Sequence, residues 1–305
     1  MRILVFTILF ISSVSLAKAQ PTATETYGIN NIGLPEDMNK QVCISGMKYF
    51  DGKLYFASER CPVIFGFDPV SKTITHTIDL QVPQNYEMEG LTSYKDKLYL
   101  ISENVSAVYE VNPKTNELKQ VPTSVPLPPK SKSGDGTEGI AANEKNNKFY
   151  ILRERNEDMT RSQIFTYSIE AGNGSSPISL KYESTIELPL ETSQWRYSDI
   201  CVDAVNNRLI CLKSYSKGKL RQQFLESLDI DATGNIAAAT LKNIPVENFT
   251  QASNMYKNDD YSMNLEGITL DSEGTIYIIS DNTSGKALCD EIAREKTILL
   301  ELKKK

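Results

Sequence analysis

Seven carboxylates recur at two fixed positions of a repeated phrase, and they carry most of the chemistry this sequence offers. The phrase reads small or acidic residue, Gly, apolar residue; after a short interval comes a Tyr-rich apolar run ending in a polar residue and an acid. It occurs five times. The copies pair Ser45-Gly46-Met47 with Leu54 to Arg60, and Glu89-Gly90-Leu91 with Leu98 to Asn104. They continue with Glu138-Gly139-Ile140 and Phe149 to Arg155, then a degenerate Ser198-Asp199-Ile200 with Leu209 to Tyr215. The last joins Glu266-Gly267-Ile268 to Ile276 to Asn282. One position therefore collects Ser45, Glu89, Glu138, Ser198 and Glu266; the other collects Glu59, Glu103, Glu154, Ser214 and Asp281.

Carboxylates brought together repel: two charges 4 Å apart cost about 4 kcal/mol at an effective dielectric of 20. They can share protons, pair with arginines or bind a cation. Arg60, Arg153 and Arg155 adjoin the second set and can pair with it. Glu89, Glu138 and Glu266 have no adjacent base in sequence. Three carboxylates with serine hydroxyls suit Ca²⁺, a hard cation that takes six to eight oxygens, and disfavour a metal preferring nitrogen or sulfur. Three roles stay open for these glutamates: ties to the backbone amides of neighbouring repeats, cation ligands, and general acids or bases.

The elements that must position these groups follow from the turns. Asp51-Gly52, Lys95-Asp96, Asn146-Asn147, Asn206-Asn207 and Glu273-Gly274 separate the two halves of each phrase and favour tight hairpins. A third strand follows each hairpin, as in Val63 to Pro69 and Ala107 to Pro113, and a fourth runs toward a proline, as in Ile74 to Leu80 and Leu118 to Val121. Four antiparallel strands repeated radially predict an all-β fold, a β-propeller of five blades; a β-sandwich is the alternative. The fifth copy ends on its third strand, Thr297 to Leu302, so the segment Tyr27 to Pro35 is expected to close the last blade. The longer fourth interval is read as a polar loop, Asn248 to Ser262, with a sixth blade as the alternative. In such a ring the start of each first strand and the end of each second meet at one mouth, which gathers all ten recurrent positions.

Composition narrows the chemistry. The chain has 305 residues, 33 Lys+Arg against 39 Asp+Glu, and one histidine. His76 lies in an alternating outer strand, expected to be solvent-exposed; a site with several His ligands on zinc is impossible. The net charge of -6 argues against a nucleic-acid partner. Met1-Arg2, an apolar run Ile3 to Leu16 and Ala17-Lys18-Ala19 read as a secretory signal peptide over 1–19. That leaves 20–305 as one exported domain, secreted or periplasmic. The apolar run is shorter than the roughly 20 residues a membrane span needs, and no later segment is long and apolar enough. Five cysteines are an odd set. Cys43 and Cys61 flank the first hairpin and are candidates for a disulfide; Cys201 and Cys211 read as buried free thiols and Cys289 as unpaired. Trp195, just before Arg196, reads as a packed anchor rather than a ligand platform.

The pattern of Glu-Gly-apolar with apolar-Tyr-apolar-apolar-Ser-acidic-Asn resembles the SdiA-regulated propellers and the related phytase-like ("esterase-like activity of phytase") family over about residues 42–301. Gly136-Thr137-Glu138-Gly139-Ile140-Ala141 with Arg153-Glu154-Arg155-Asn156 is similar to that family's Glu-Gly-Ile-Ala and Glu-Arg-Asn segments. Ser198-Asp199-Ile200 departs from it by replacing the glycine. Ser45-Gly46-Met47 and Asp51 to Tyr55 are also similar to secreted calcium-dependent apyrases.

Together these features are read as an exported ligand-binding or sensing propeller with a divalent cation, calcium, on Glu89, Glu138 and Glu266. Its ligand would be a small molecule or cell-surface group, with phosphorylated ones included, and the protein a monomer. The channel-mouth ligand set is Ser45, Glu59, Glu89, Glu103, Glu154, Ser198 and Asp281. The alternative is a calcium-dependent phosphoester or ester hydrolase. There a metal-bound water attacks, Glu138 or Glu154 acts as base, and Arg60 or Arg155 clamps the substrate.

Overall fold

The computed structural model describes residues 25–40, 42–82, 86–112, 115–172, 178–218, 220–247, 249, 260–282, 289 and 291–305. The expected signal peptide, 1–19, and most of the expected loop 248–262 lie outside them. Five four-stranded antiparallel sheets form the ring. β1 (Tyr27–Asn31) comes first in the chain but belongs to the last blade. Blade 1 is β2 (Ile44–Phe50), β3 (Lys53–Ser58), β4 (Val63–Asp68) and β5 (Thr73–Asp79). Blade 2 is β6 (Met88–Tyr94), β7 (Lys97–Ser102), β8 (Ala107–Asn112) and β9 (Glu117–Gln120). Blade 3 is β10 (Thr137–Asn143), β11 (Lys148–Arg153), β12 (Arg161–Ala171) and β13 (Ile178–Pro189). Blade 4 is β14 (Trp195–Asp203), β15 (Arg208–Lys217), β16 (Leu220–Asp229) and β17 (Lys242–Ile244). Blade 5 is β18 (Asn264–Leu270), β19 (Ile276–Asp281) and β20 (Leu299–Lys304), completed by β1 with Ile29 opposite Leu302. The N-terminal strand thus closes the ring as expected, and the six-blade alternative falls.

Burial follows strand position. Every residue of β6 is buried, whereas β5 is mostly exposed, His76 included. Each pair of neighbouring blades encloses one apolar cluster. Ile210, Leu212 and Leu225 of blade 4 meet Leu265, Ile278 and Leu300 of blade 5; Leu54, Phe56 and Phe67 of blade 1 meet Tyr277, Ile279 and Leu299 of blade 5. The core is therefore a ring of five interfaces, which repeated radial sheets require.

The recurrent phrase has a geometric reason. In every blade the pairing of the first two strands slips at the phrase, between Ile44 and Gly46, Met88 and Leu91, Thr137 and Gly139, Tyr197 and Asp199, and Leu265 and Gly267. A bulge leaves a residue out of the ladder and re-aims its side chain. Here the bulged residues are the serines and glutamates of the first recurrent position. The glycine behind each is imposed by crowding at the axis. A Cβ on Gly90 would lie 2.7 Å from the Glu138 carbonyl oxygen and 2.8 Å from the Ile140 nitrogen.

Blade 4 lacks this glycine and uses the side chain instead. Asp199 accepts from the Ile268 and Ile200 amides, each at 2.8 Å. Thr92 and Thr269 act likewise, accepting at 3.0 Å from Ala142 N and Tyr49 N of the next blades. The inter-blade ties thus run through Thr92, Asp199, Thr269 and Ser198, whose hydroxyl donates to the Leu265 carbonyl at 2.9 Å. Among the described residues, no recurrent glutamate side chain makes the backbone-amide tie that one reading of the sequence expected, although Glu154 and Glu266 join neighbouring blades through Arg196.

The cysteines need a correction. Cys61 bonds to Cys289 across 228 residues, with Cα atoms 5.6 Å apart, so Cys289 is paired and the expected Cys43–Cys61 bridge does not form. Cys43 is turned into the ring, where its amide donates to Asn282 Oδ1 at 3.2 Å. Cys201 and Cys211 keep buried thiols.

Candidate functional site

All seven recurrent acids meet at one cavity at the axis. Its volume is about 230 Å³, and it is lined by Ser45, Glu59, Glu89, Glu103, Glu138, Glu154, Glu266 and Asp281, together with Gly134, Arg196 and Asn264. Eight of the ten recurrent positions line it. Ser198 and Ser214 do not: they face each other at 3.2 Å within blade 4, and Ser214 donates to Gln223 Oε1 at 2.6 Å. Two larger grooves, of about 400 and 360 Å³, lie elsewhere between blades 4 and 5; the second is lined by Glu25, Asp203, Asp271 and Glu273, fewer than the seven acids at the axis.

Bases reach the cavity from three directions. Arg196 enters the mouth from β14. Its Nη1 donates to Glu154 at 2.6 Å, and its Nη2 donates to Asn264 at 2.7 Å and to Glu266. Lys130, from the connection before β10, donates to Glu87 at 2.9 Å and also to Glu103. Arg60 pairs with Glu59 at 3.1 Å. Arg155 is committed to Asp135 (Nε at 2.9 Å) and to the Ser193 carbonyl at 2.8 Å, with Glu154 at 3.6 Å. Arg153 turns outward to Glu157. Of the arginines the sequence singled out, two thus neutralise acids at the mouth and one does not.

Two acids receive nothing. Glu89 and Glu138 line the cavity and make no hydrogen bond or ion pair among the described residues, although Glu89 is buried. Glu103 is 3% exposed, and its Oε1 is a buried oxygen without a partner. The space for that carboxylate exists because residue 136 is glycine: a Cβ there would sit 2.7 Å from Glu103 Oε1. Oxygens of Glu87, Glu89 and Glu103 lie within 4.8 Å of one another.

The electrostatics follow from this crowding. Burial first, then the facing carboxylates, pushes Glu89 and Glu138 far above the ordinary carboxylate range. Burial, only partly opposed by Lys130, lifts Glu103 to about 7. Burial also outweighs Arg196 and lifts Glu266 to about 7. Glu154 and Glu59 move up from burial as well. Burial would neutralise Arg196, but Glu266, Glu154 and Glu138 outweigh it and hold the guanidinium charged. The all-oxygen donor set with unpartnered carboxylates fits a hard divalent cation; the oxygens grouped closely enough to share one are those of Glu87, Glu89 and Glu103, and Glu138 faces the same cavity. Glu266, expected in that set, is held by Arg196 instead.

Sequence reasoning missed Arg196, Asn264 and Glu87 as members of the mouth, though a signal existed. Each lies two residues before its phrase, at the position also held by Cys43 and Gly136. On a strand that spacing returns to the same face. Lys130 and Asp135 come from an irregular connection and carried no such signal.

Comparison with known proteins supports the architecture. The family described as "Phytase-like: Esterase-like activity of phytase" matches residues 71–283. No curated protein matches the chain. Among solved structures, the glutaminyl cyclase of Myxococcus xanthus superposes with a TM-score of 0.52 at 11% identity, covering 92% of this chain and 98% of that one. A carbohydrate-active enzyme of family AA12 from Trichoderma reesei gives 0.47 at 11% identity, covering 92% and 96%. A streptogramin B lyase gives 0.40 at 12%, covering 92% and 98%. At these identities the likeness extends to the fold alone.

Proposed function

The chain belongs to the phytase-like (esterase-like activity of phytase) family, and from that premise we propose that it is an exported propeller whose channel mouth binds a divalent cation, calcium first among them, as part of a ligand-binding or sensing site. One observation carries this reading. Glu89 and Glu138 face the cavity with no hydrogen-bond or ion-pair partner, in a molecule that supplies bases to most of the surrounding acids. Uncompensated carboxylates in a buried site must be protonated or neutralised from outside. A cation taking six to eight oxygens would use Glu89 and the free oxygen of Glu103, with Glu87 beside them and with Glu138 and water completing the set. When bound, the ion would supply positive charge for anionic ligand groups.

The test is calorimetric and thermal titration of the mature protein with Ca²⁺, Mg²⁺ and EDTA. A calcium-dependent rise in melting temperature, absent from the Glu89→Gln/Glu138→Gln protein, supports the reading. Equal melting with and without calcium overturns it.

A second reading, hydrolysis of phosphoesters or esters at this mouth, is favoured by the family description and by Glu103 and Glu266, both lifted to about 7, where a carboxyl group transfers protons best at neutral pH. Calcium-dependent turnover of p-nitrophenyl phosphate or short esters, lost on Glu103→Gln, would move the protein from binding module to enzyme.

A further inference from the structure

The degenerate fourth copy of the phrase is also the one that carries a base. Blade 4 has serines, Ser198 and Ser214, at both recurrent positions, where every other blade places at least one acid. Two residues before Ser198 it has Arg196, where the other blades have Cys43, Glu87, Gly136 and Asn264.

Blades 2 and 5 show what the guanidinium replaces. Their mouth ends are equivalent: Met88 pairs with Ser102 as Leu265 pairs with Ser280, and both ladders slip just after. Glu87, Glu89 and Glu103 of blade 2 therefore correspond to Asn264, Glu266 and Asp281 of blade 5. In blade 2 the three carboxylates offer oxygens within 4.8 Å of one another. Lys130 reaches Glu87 and Glu103 but not Glu89, and Glu103 Oε1 is left buried without a partner. In blade 5, Arg196 Nη2 donates to Asn264 Oδ1 at 2.7 Å and to Glu266, and the Asn264 amide donates to Asp281 Oδ2 at 3.5 Å. One positive group thus touches the counterparts of Glu87 and Glu89 and is joined to the counterpart of Glu103 through Asn264.

We propose that Arg196 is an internal substitute for a second divalent cation, and so fixes the number and place of the ions at the mouth: one, on the blade 2 side. The inference rests on the cation reading of the mouth. A guanidinium brings one charge and a fixed fork of donors that suits carboxylate and amide oxygens. A divalent cation takes the same oxygens as ligands, so the two are alternatives for one donor set. Glu266, Glu154 and Glu138 hold Arg196 charged, and the blade 5 set is filled in the free protein. Through Glu154 at 2.6 Å the same side chain joins blades 3, 4 and 5, so that half of the ring is held with no ion bound.

Calorimetric titration of the mature protein with Ca²⁺ counts the ions, and melting with and without Ca²⁺ reads what they stabilise. The parent should take one calcium. Arg196→Gln should take a second, and calcium should restore most of the melting temperature that the substitution costs; an arginine with a structural role alone would leave a loss that calcium does not repair. Arg196→Lys keeps a charge in the same place and should stay at one. Adding Glu266→Gln to Arg196→Gln should weaken the second site at least about tenfold and leave the first unchanged. Should Arg196→Gln alone fail to fold, Arg196→Gln/Glu154→Gln also removes the blade 3 acid that loses its closest base, and should show the same second ion. A folded Arg196→Gln protein that still takes one calcium, a second ion in Arg196→Lys, or failure of both glutamine variants to fold in calcium would each overturn the inference and leave the cation reading standing. A parent that takes no calcium overturns both.

Discussion

The two sides of the channel mouth solve one problem in different ways. Around blades 3 to 5, the Arg196 guanidinium spans the cavity and holds Glu154, Asn264 and Glu266. Around blades 2 and 3, among the described residues, Glu89 and Glu138 stand with no base, and Glu103 has one oxygen held by Lys130 and the other by nothing. Both sides are built from equivalent bulges on equivalent strands. What differs is the residue two positions earlier on the strand: Arg196 in blade 4, Glu87 in blade 2 and Gly136 in blade 3. One side is neutralised from within; the other is left to protons or an external cation. Symmetry brings acids together, and local departures from symmetry decide what each of them does.

The largest effect should come from breaking the internally neutralised side. Arg196→Met leaves Glu266 buried without its base and Glu154 with Arg155 alone, at 3.6 Å, and removing one partner of such a buried group costs about 3–5 kcal/mol. Denaturant unfolding at neutral pH should show that loss, with recovery toward pH 5 as the two carboxyls take protons. If Arg196→Met is as stable as the parent at neutral pH, the neutralised side does not depend on the guanidinium.

Next is the packing beneath the base-free side. Gly90→Ala drives a methyl group against the Glu138 carbonyl oxygen and the Ile140 nitrogen, an overpacking expected to cost about 1–3 kcal/mol. Asp199, the blade 4 counterpart, should show a loss of similar size when changed to Ala, because its two amide donors would lose their acceptor. Thermal melts of both variants make that comparison.

The base-free side is then tested directly. Glu89→Gln/Glu138→Gln should weaken calcium binding at least tenfold, about 1.4 kcal/mol. The same substitutions should leave the metal-free protein as stable as the parent or more so, since they remove charges that burial penalises. Glu154→Gln should weaken calcium far less.

The pH dependence bears on both sides of the mouth at once. Glu103 and Glu266 titrate near 7 when folded and near 4.3 when unfolded. Between those values the folded protein binds more protons than the unfolded chain, so metal-free stability falls as pH rises from about 4.3 to about 7. Calcium should flatten that decline and release protons on binding, measurable by titration in buffers of different ionisation enthalpy. A metal-free protein that gains stability across this interval would reverse the sign on which the comparison rests.

Much of this was legible in the amino-acid order. Five copies of one phrase, with Gly, Asn or Asp turns between their halves, specify hairpins, blades and a ring, because each depends on local spacing and on the strand period of two. The convergence of Glu59, Glu89, Glu103, Glu138, Glu154, Glu266 and Asp281 followed from the same periodicity. The closing strand was legible as well, since the fifth copy ends one strand short. Tertiary structure decided the rest. Cys61 found Cys289 rather than Cys43 because a bridge depends on which loops of blades 5 and 1 meet, and no local pattern encodes that. The ties to backbone amides of neighbouring blades fell to Thr92, Asp199 and Thr269 because their short side chains reach those amides directly. Arg196 and Lys130 chose which carboxylates to neutralise, because long side chains act through space and across blades. Which acids recur is a property of the repeat; which remain uncompensated depends on where bases from other blades and loops come to rest.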